Sequence, residues 1–291
     1  MRFYDAHNHL QDERFGGRQA ELLQLCRARG ITAMVVNGSC EEDWPHVLEL
    51  ARLHPEVIPS FGYHPWYVGE RSPAWLDQLR TRLREIPSAV GEIGLDRWKP
   101  DLPYEGQEEV FLAQLQLAAE ANLPASIHCL RAWGRLYELL RTHPRPACGF
   151  LLHSYGGPPE MVRPLAQLGA YFSLPGYFAR PGKTRQQEAF RLVPPDRLLI
   201  ETDAPDQLPP PERLLHPLQD QQSGRPINHP ANLPAVYAFA AELRGWSLET
   251  LAARVEENFH RLFGHVWPGK LSPPIQRTTT EATANPNAPV T

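Results

Sequence analysis

The chain has 291 residues, 42% of them hydrophobic and 21% charged, with a formal net charge of −4. Length and balance suit a globular protein with a substantial core, built as two domains or as one large α/β barrel. The negative balance argues against a protein that coats duplex nucleic acid by bulk electrostatics, and leaves contacts to a single strand end open. The four cysteines, Cys26, Cys40, Cys129 and Cys148, have no short paired spacing and read as free thiols, not as a disulfide framework or a zinc ribbon. No apolar run approaches the roughly 20 residues that cross a bilayer. No basic, apolar leader precedes the first strand, and a cytoplasmic location is expected.

The first strand, Phe3-Tyr4-Asp5-Ala6-His7-Asn8-His9-Leu10, ends in two histidines separated by one residue. Alternate residues of a strand share a face, so both imidazoles can aim at one point. A helix over 18–29 carries Leu22, Leu23, Leu25 and Cys26 at helical spacing, and Gly30 stops it. The β-branched run 31–36 reads as a buried parallel strand. A helix around 44–54 follows, then a strand over 57–62 that delivers Tyr63-His64-Pro65-Trp66. Next come a helix over about 74–84, a strand over 89–94, a helix over 105–121 and a strand over 125–128. A helix over 132–142, a strand over 149–153 and a helix near 160–168 continue the alternation. Strands over 170–173 and 197–201, with a helix around 184–192 between them, bring the count to about eight.

Strictly alternating strands and helices require a parallel sheet, because parallel strands need crossover connections. About eight such units fit a single (β/α)8 TIM barrel. An open doubly wound sheet would want a glycine-rich phosphate loop after its first strand; this chain has His-x-His there. Past the barrel, 229–244 and 248–262 read as two closing helices, the second capped by Ser247. The Pro-rich segment 208–217, with 219–226 after it, reads as a long surface loop. The expected division is a barrel over 1–268 and a disordered Pro/Thr/Asn-rich tail over 269–291, whose composition cannot bury enough surface to offset its ordering entropy.

In a parallel barrel the carboxyl ends of the strands share one face, and active sites sit there. This chain places His7, His9, His64, Glu92, His128, His153 and Asp203 at or just beyond those ends. Each has a structural rival: a satisfied core histidine, or for Asp203 a turn former or helix cap. Glu92 is the hardest to explain away, because a carboxylate at the end of a buried strand is costly without a partner. Four imidazoles and two carboxylates suffice to bind two divalent ions with one carboxylate bridging them. Such a pair activates water for hydrolysis, most naturally of a phosphoester.

The motifs Asp5-Ala6-His7-Asn8-His9, Gly62-Tyr63-His64-Pro65, Gly91-Glu92-Ile93-Gly94-Leu95-Asp96, Ile127-His128-Cys129, His153-Ser154-Tyr155 and Glu201-Thr202-Asp203-Ala204-Pro205 resemble those of the TatD family of metal-dependent deoxyribonucleases, in the amidohydrolase superfamily. Gln107, Phe111 and Gln114 resemble the helix after the Glu motif, and Asn258-Phe259 with Leu262-Phe263 the closing helix. The resemblance runs from Met1 to about Gly264. It implies that His7, His9, Glu92 and Asp203 hold one ion and that Glu92 bridges to a second, held also by His128 and His153. It further implies that Asp203 orients or deprotonates the attacking water and that His64 contacts the substrate phosphate. The residues alone give the ligand types but not this partition.

The chain departs from the family pattern around the substrate. His128-Cys129-Leu130-Arg131-Ala132 stands where His-x-Arg-Asp-Ala is common, Tyr63 precedes His64, and Arg97-Trp98-Lys99 replaces an aromatic pair. Asp96 reads as a turn former or a support for a ligand, Glu201 as outward-pointing or as orienting a histidine, and Arg131 as a phosphate contact or a solvated helix start. Trp66 and Trp98 could stack on bases or pack as a lid. His46, His54, His143, His216, His229, His260 and His265 receive no function.

The expected activity is that of a divalent-metal-dependent hydrolase, a phosphodiesterase or deoxyribonuclease of TatD type whose water is activated by two ions (Zn, Mn or Mg). The substrate would be a DNA strand end or a small phosphodiester, with no membrane and no stable protein partner. Two alternatives stay open: an amidase or lactonase of the same superfamily, and a metal-holding interaction protein without catalysis.

Overall fold

The computed structural model describes residues 1–271 except Asp101 and Pro103, with Lys270 and Leu271 as backbone only. Eight parallel strands run in chain order around one sheet: β1 (Phe3–Asn8), β2 (Ile31–Asn37), β3 (Val57–Phe61), β4 (Ala89–Asp96), β5 (Ala125–Leu130), β6 (Phe150–Leu152), β7 (Ala170–Pro175) and β8 (Leu198–Glu201). Between them lie α1 (Gln19–Ala28), α2 (Trp44–Leu53), α3 (Trp75–Glu85), α4 (Gln107–Ala121), α5 (Trp133–Thr142), α6 (Val162–Gln167) and α7 (Thr184–Leu192). This is the expected (β/α)8 barrel, with α8 (Leu233–Arg244) packed against β8 and α9 (Leu248–Phe263) against β8 and β1. No helix of the described residues is long and apolar enough to cross a membrane. The stretch expected to be a disordered tail lies, from Ser272 on, outside the described residues.

The strands are apolar on both faces because the helix ring covers one and the barrel interior the other. Every residue of β1, β3, β4, β6, β7 and β8 is buried. The ring closes between β1 and the end of β8. His9 N donates to Ala204 O at 2.8 Å and Asp203 N to His7 O at 3.0 Å. Asp5 adds a side-chain tie, accepting from Thr202 N (2.9 Å), Thr202 Oγ1 and Asn8 Nδ2 (3.1 Å). That knot fixes the loop bearing Asp203 against the strand bearing His7 and His9.

The elements differ from their sequence reading mostly at the ends. Strand β4 runs on to Asp96 and β5 to Leu130, so Asp96 sits inside the sheet opposite Leu130. Helix α6 begins with a 3-10 turn, Pro159–Met161, and α8 is preceded by another, Pro230–Asn232. Within the segment read as a long loop, β9 (Leu218–Gln219) and β10 (Pro226–Ile227) pair as an antiparallel ribbon. All four cysteines are free thiols, as expected.

Candidate metal centre

Glu92 stands at the centre of the upper face, 2% exposed. Glycine on either side of it answers a packing demand. A Cβ on Gly91 would lie 2.7 Å from Ser126 Cβ, and one on Gly94, at φ 151°, would lie 1.9 Å from His128 O. Only glycine lets β4 approach β5 this closely and turn the carboxylate into the barrel mouth.

The two oxygens of Glu92 face different sets of imidazoles. Oε2 lies 3.2 Å from His7 Nε2 and 3.1 Å from His9 Nε2. Oε1 lies 3.0 Å from His128 Nδ1, 2.9 Å from His153 Nε2 and 3.2 Å from His64 Nε2. Asp203 Oδ1 sits 3.7 Å from Nε2 of both His7 and His9. The seven predicted site residues are thus brought together, and three overlapping donor groups lie close enough to hold an ion: His7 with His9 and Glu92; His7 with His153 and Asp203; His64 with Glu92 and His128.

What lies behind each ring decides which nitrogen can be a ligand. His9 Nδ1 donates to Asn37 O at 2.8 Å, which leaves the Nε2 lone pair facing Glu92. His128 Nε2 donates to Asp96 Oδ2 at 3.0 Å, which leaves Nδ1 as the free donor atom. His7 Nδ1 shares a hydrogen bond of 2.8 Å with Ser126 Oγ. His64 is arranged in the opposite sense. Its Nδ1 accepts from Trp66 N at 3.1 Å, so Nε2 carries the hydrogen and is a donor, not a lone pair. The His7 and His9 Nε2 atoms lie 3.3 Å apart beside a carboxylate oxygen. Lone pairs so placed repel unless a cation or a proton stands among them, and the donor set therefore fits a divalent ion.

Electrostatics follow from burial and this crowding. Burial raises the Glu92 carboxyl, but the charge of His153 and the hydrogen bond from His128 outweigh it and hold the group well below its ordinary value. Burial resists charge on His9, yet hydrogen bonding and charge from Glu92 pull it up to about 9. His64 is driven down to about 4, chiefly by burial, and stays neutral. Burial pushes the Asp203 carboxyl up, against the opposing charge of His153. Asp203 also holds a left-handed backbone, φ 53°, which few non-glycine residues adopt.

Several supporting residues carried no assigned role in the sequence. Asp5 ties β1 to the loop after β8. Asn37 O accepts from both His9 and Gln11 Nε2, the latter at 2.7 Å. From α4, Gln114 clamps the backbone of Tyr63 (2.6 and 3.2 Å), and Gln107 clamps that of Asp96 (2.9 and 3.2 Å). Of the two readings of Glu201, the inward one holds. It is fully buried, accepts from Ser154 N at 2.8 Å and from Ser173 Oγ, and lies 3.8 Å from His153 Nδ1.

The cluster is the floor of a cavity of about 580 Å³ lined also by Trp66, Trp98, Tyr177, Arg180 and Lys183. A second hollow of about 1040 Å³ adjoins it across His9, His64 and Trp66, and His46 and His54 line its far part.

The family model of the TatD related DNases matches residues 4–264. The chain belongs to this family. It is 31% identical over 265 residues to the uncharacterised metal-dependent hydrolase YjjV of Escherichia coli K12, covering 90% of this chain and 98% of that one. It is 32% identical over 264 residues to the 3′-5′ ssDNA/RNA exonuclease TatD of Pantoea vagans, covering 89% and 98%. The crystal structure of YjjV superposes with a TM-score of 0.81 at 28% identity, over 90% of this chain and 98% of that one. The chain is thus a TatD-type metal-dependent hydrolase. Where the chain departs from the family pattern, Arg131 is exposed at φ 54° and lies outside the cavity lining, whereas Cys129 and Leu130 are part of it.

Proposed function

We propose that this TatD-type chain is a phosphodiesterase that holds two divalent ions and cleaves nucleotides from a DNA strand end. The observation that carries the reading is the division of Glu92, whose oxygens face His7 and His9 on one side and His128 and His153 on the other. In this reading His7, His9, Asp203 and Glu92 Oε2 hold one ion; His128, His153 and Glu92 Oε1 hold the other. Bound ions would polarise a phosphoryl oxygen and acidify water between them.

The chain's own groups then have defined tasks. Asp203, with its carboxylate 3.7 Å from the His7 and His9 Nε2 atoms, takes a proton from the attacking water. The neutral Nε2–H of His64 donates to a non-bridging phosphate oxygen and stabilises charge as it develops there. Asp96 and the Asn37 carbonyl hold His128 and His9 in the tautomers that ligation needs. Four imidazoles with two carboxylates suit Zn or Mn better than Mg. The name of the Pantoea relative, an ssDNA/RNA exonuclease, supports a nucleic-acid strand as substrate. We assign the activity to residues 1–268 and place the protein in the cytoplasm.

The test is turnover by the metal-loaded full chain of single-stranded DNA, duplex DNA, a chromogenic phosphodiester and a panel of amides and lactones. Release of mononucleotides from single strands supports the reading. Hydrolysis confined to amides or lactones, or no turnover with any of Zn, Mn or Mg, would refute it in favour of the two alternatives.

A further inference from the structure

The cavity over the metal centre has cation–aromatic pairs on opposite sides. After β3 and β4, Lys99 Nζ stands 4.6 Å from the Trp66 ring centroid. After β7, Lys183 Nζ stands 4.4 Å from the Tyr177 ring, with the Arg180 guanidinium 5.3 Å from the same ring. In a closed ring of eight strands, β3 and β7 lie four strands apart, so the pairs face each other across Glu92. Only the β7 group borders the cavity with its cations; Lys99 is absent from the lining.

The two cations of the β7 group are used differently. Arg180 spends its N–H groups on the chain after β8, donating to Leu208 O at 3.0 Å and Pro209 O at 3.3 Å. It is a strut. Lys183 forms no ion pair among the described residues, although Glu92, Asp203 and Asp206 line the same cavity. Asp206 is instead paired with Arg14 at 2.8 Å. Lys183 is thus an ammonium held by an aromatic face beside a cavity with an anionic floor, and its charge has no carboxylate partner among the described residues. A cation so placed is matched by an anion that enters with the substrate.

We propose that Lys183, positioned by Tyr177, binds the phosphate next to the scissile one, so that the site selects a strand with at least two phosphodiesters over a single ester. The inference rests on the phosphodiesterase reading and goes further, because it assigns a length-selecting contact to a loop that no part of the metal centre uses. Lys183 is the phosphate contact. Tyr177 is a positioning residue: both cations address its ring, which holds the ammonium over the cavity.

The test uses the metal-loaded full chain and a fluorescein-labelled oligothymidylate of about eight nucleotides with phosphorothioate linkages, which keep their charge and resist cleavage. Fluorescence anisotropy gives Kd against salt. Lys183→Gln is expected to raise Kd roughly tenfold at low salt and to lower the slope of log Kd on log salt by about 0.7, the value of one phosphate contact on a single strand. Lys183→Arg should keep the wild-type slope. Tyr177→Leu should raise Kd and also keep the slope, since the ammonium is still present; a purely structural role would not separate the two quantities. With the unmodified oligomer and a chromogenic single ester, Lys183→Gln should lower the ratio of the two kcat/KM values by about the same tenfold. Wild-type Kd and slope in Lys183→Gln, or a wild-type protein that does not bind the probe, would overturn the proposal. Failure of the underlying hydrolytic reading shows differently: the wild type would bind the probe yet release nothing from the unmodified strand.

Discussion

Replacing Asp96 by asparagine removes one charge and one acceptor from a carboxylate that three elements share. Oδ2 accepts from His128 Nε2 at 3.0 Å and from Trp66 Nε1 at 2.6 Å, and Oδ1 accepts from Trp98 N at 2.7 Å. Against burial, the bonds from His128 and Trp66 hold the carboxyl at about 2, so it is charged across the working pH range. An amide has a single oxygen. Whichever way it turns, its NH2 meets an N–H donor, and at least one charge-assisted bond is lost. Such bonds are worth about 1.5–3 kcal/mol. Loss of a carboxylate behind a ligand histidine lowers metal affinity roughly 10- to 100-fold, a matching range in free energy. Calorimetric titration of apo Asp96→Asn with Mn2+ should therefore show one of two binding steps weakened by that factor, the step fed by His128. The step fed by His7 and His9 should stay close to wild type. Two unweakened steps would refute the claim that Asp96 sets the His128 tautomer.

His64→Ala should keep full metal content while kcat/KM on single-stranded DNA falls about 100-fold, because a donor to phosphate is lost and no ligand is; loss of an ion on elemental analysis would make His64 a ligand instead. Asn258 Nδ2 donates to Pro195 O and Leu198 O, both at 2.9 Å, and ties α9 to the start of β8. Asn258→Ala leaves these carbonyls unmet and should cost about 2 kcal/mol in chemical denaturation. Burial, aided by His216 and Arg18, lowers His229 from 6.5 to about 4. A histidine so depressed is neutral in the folded state, so its stabilising effect is complete above pH 6.5 and fades as pH falls toward 4, by at most about 3 kcal/mol. His229 Nδ1 also accepts from Ala231 N at 2.9 Å, a cap that asparagine can reproduce. His229→Asn should flatten the loss of thermal stability between pH 6.5 and 4, and an unchanged pH profile would show that His229 is not responsible.

The barrel was legible because parallel strands covered on both faces write themselves as apolar runs, and 31–36 or 170–173 could be little else. The cluster of donor side chains was legible for a related reason: polar groups that end such runs at Glu92, His128 and His153 meet at the barrel mouth. What lay beneath was not. Asp5 and Thr202 meet across 197 residues of sequence, and no local pattern announces the contact. Strand β8 is buried on both faces, so alternation could not say whether Glu201 turns in or out. The tautomers of His64 and His128 depend on Trp66 N and Asp96 Oδ2, whose positions follow from loop geometry alone. Lys183 is not legible in the sequence, because one lysine before a helix looks like any solvated charge until the ring closes and sets it beside the cavity.

Elemental analysis of the purified chain beside its Glu92→Ala variant, each dialysed against the same Mn2+ or Zn2+ buffer, bears most directly on the centre. The division of Glu92 between His7 with His9 and His128 with His153 predicts two ions per wild-type chain, and predicts that the variant loses at least one together with phosphodiesterase activity. Two ions retained in the variant, with its activity intact, would contradict it.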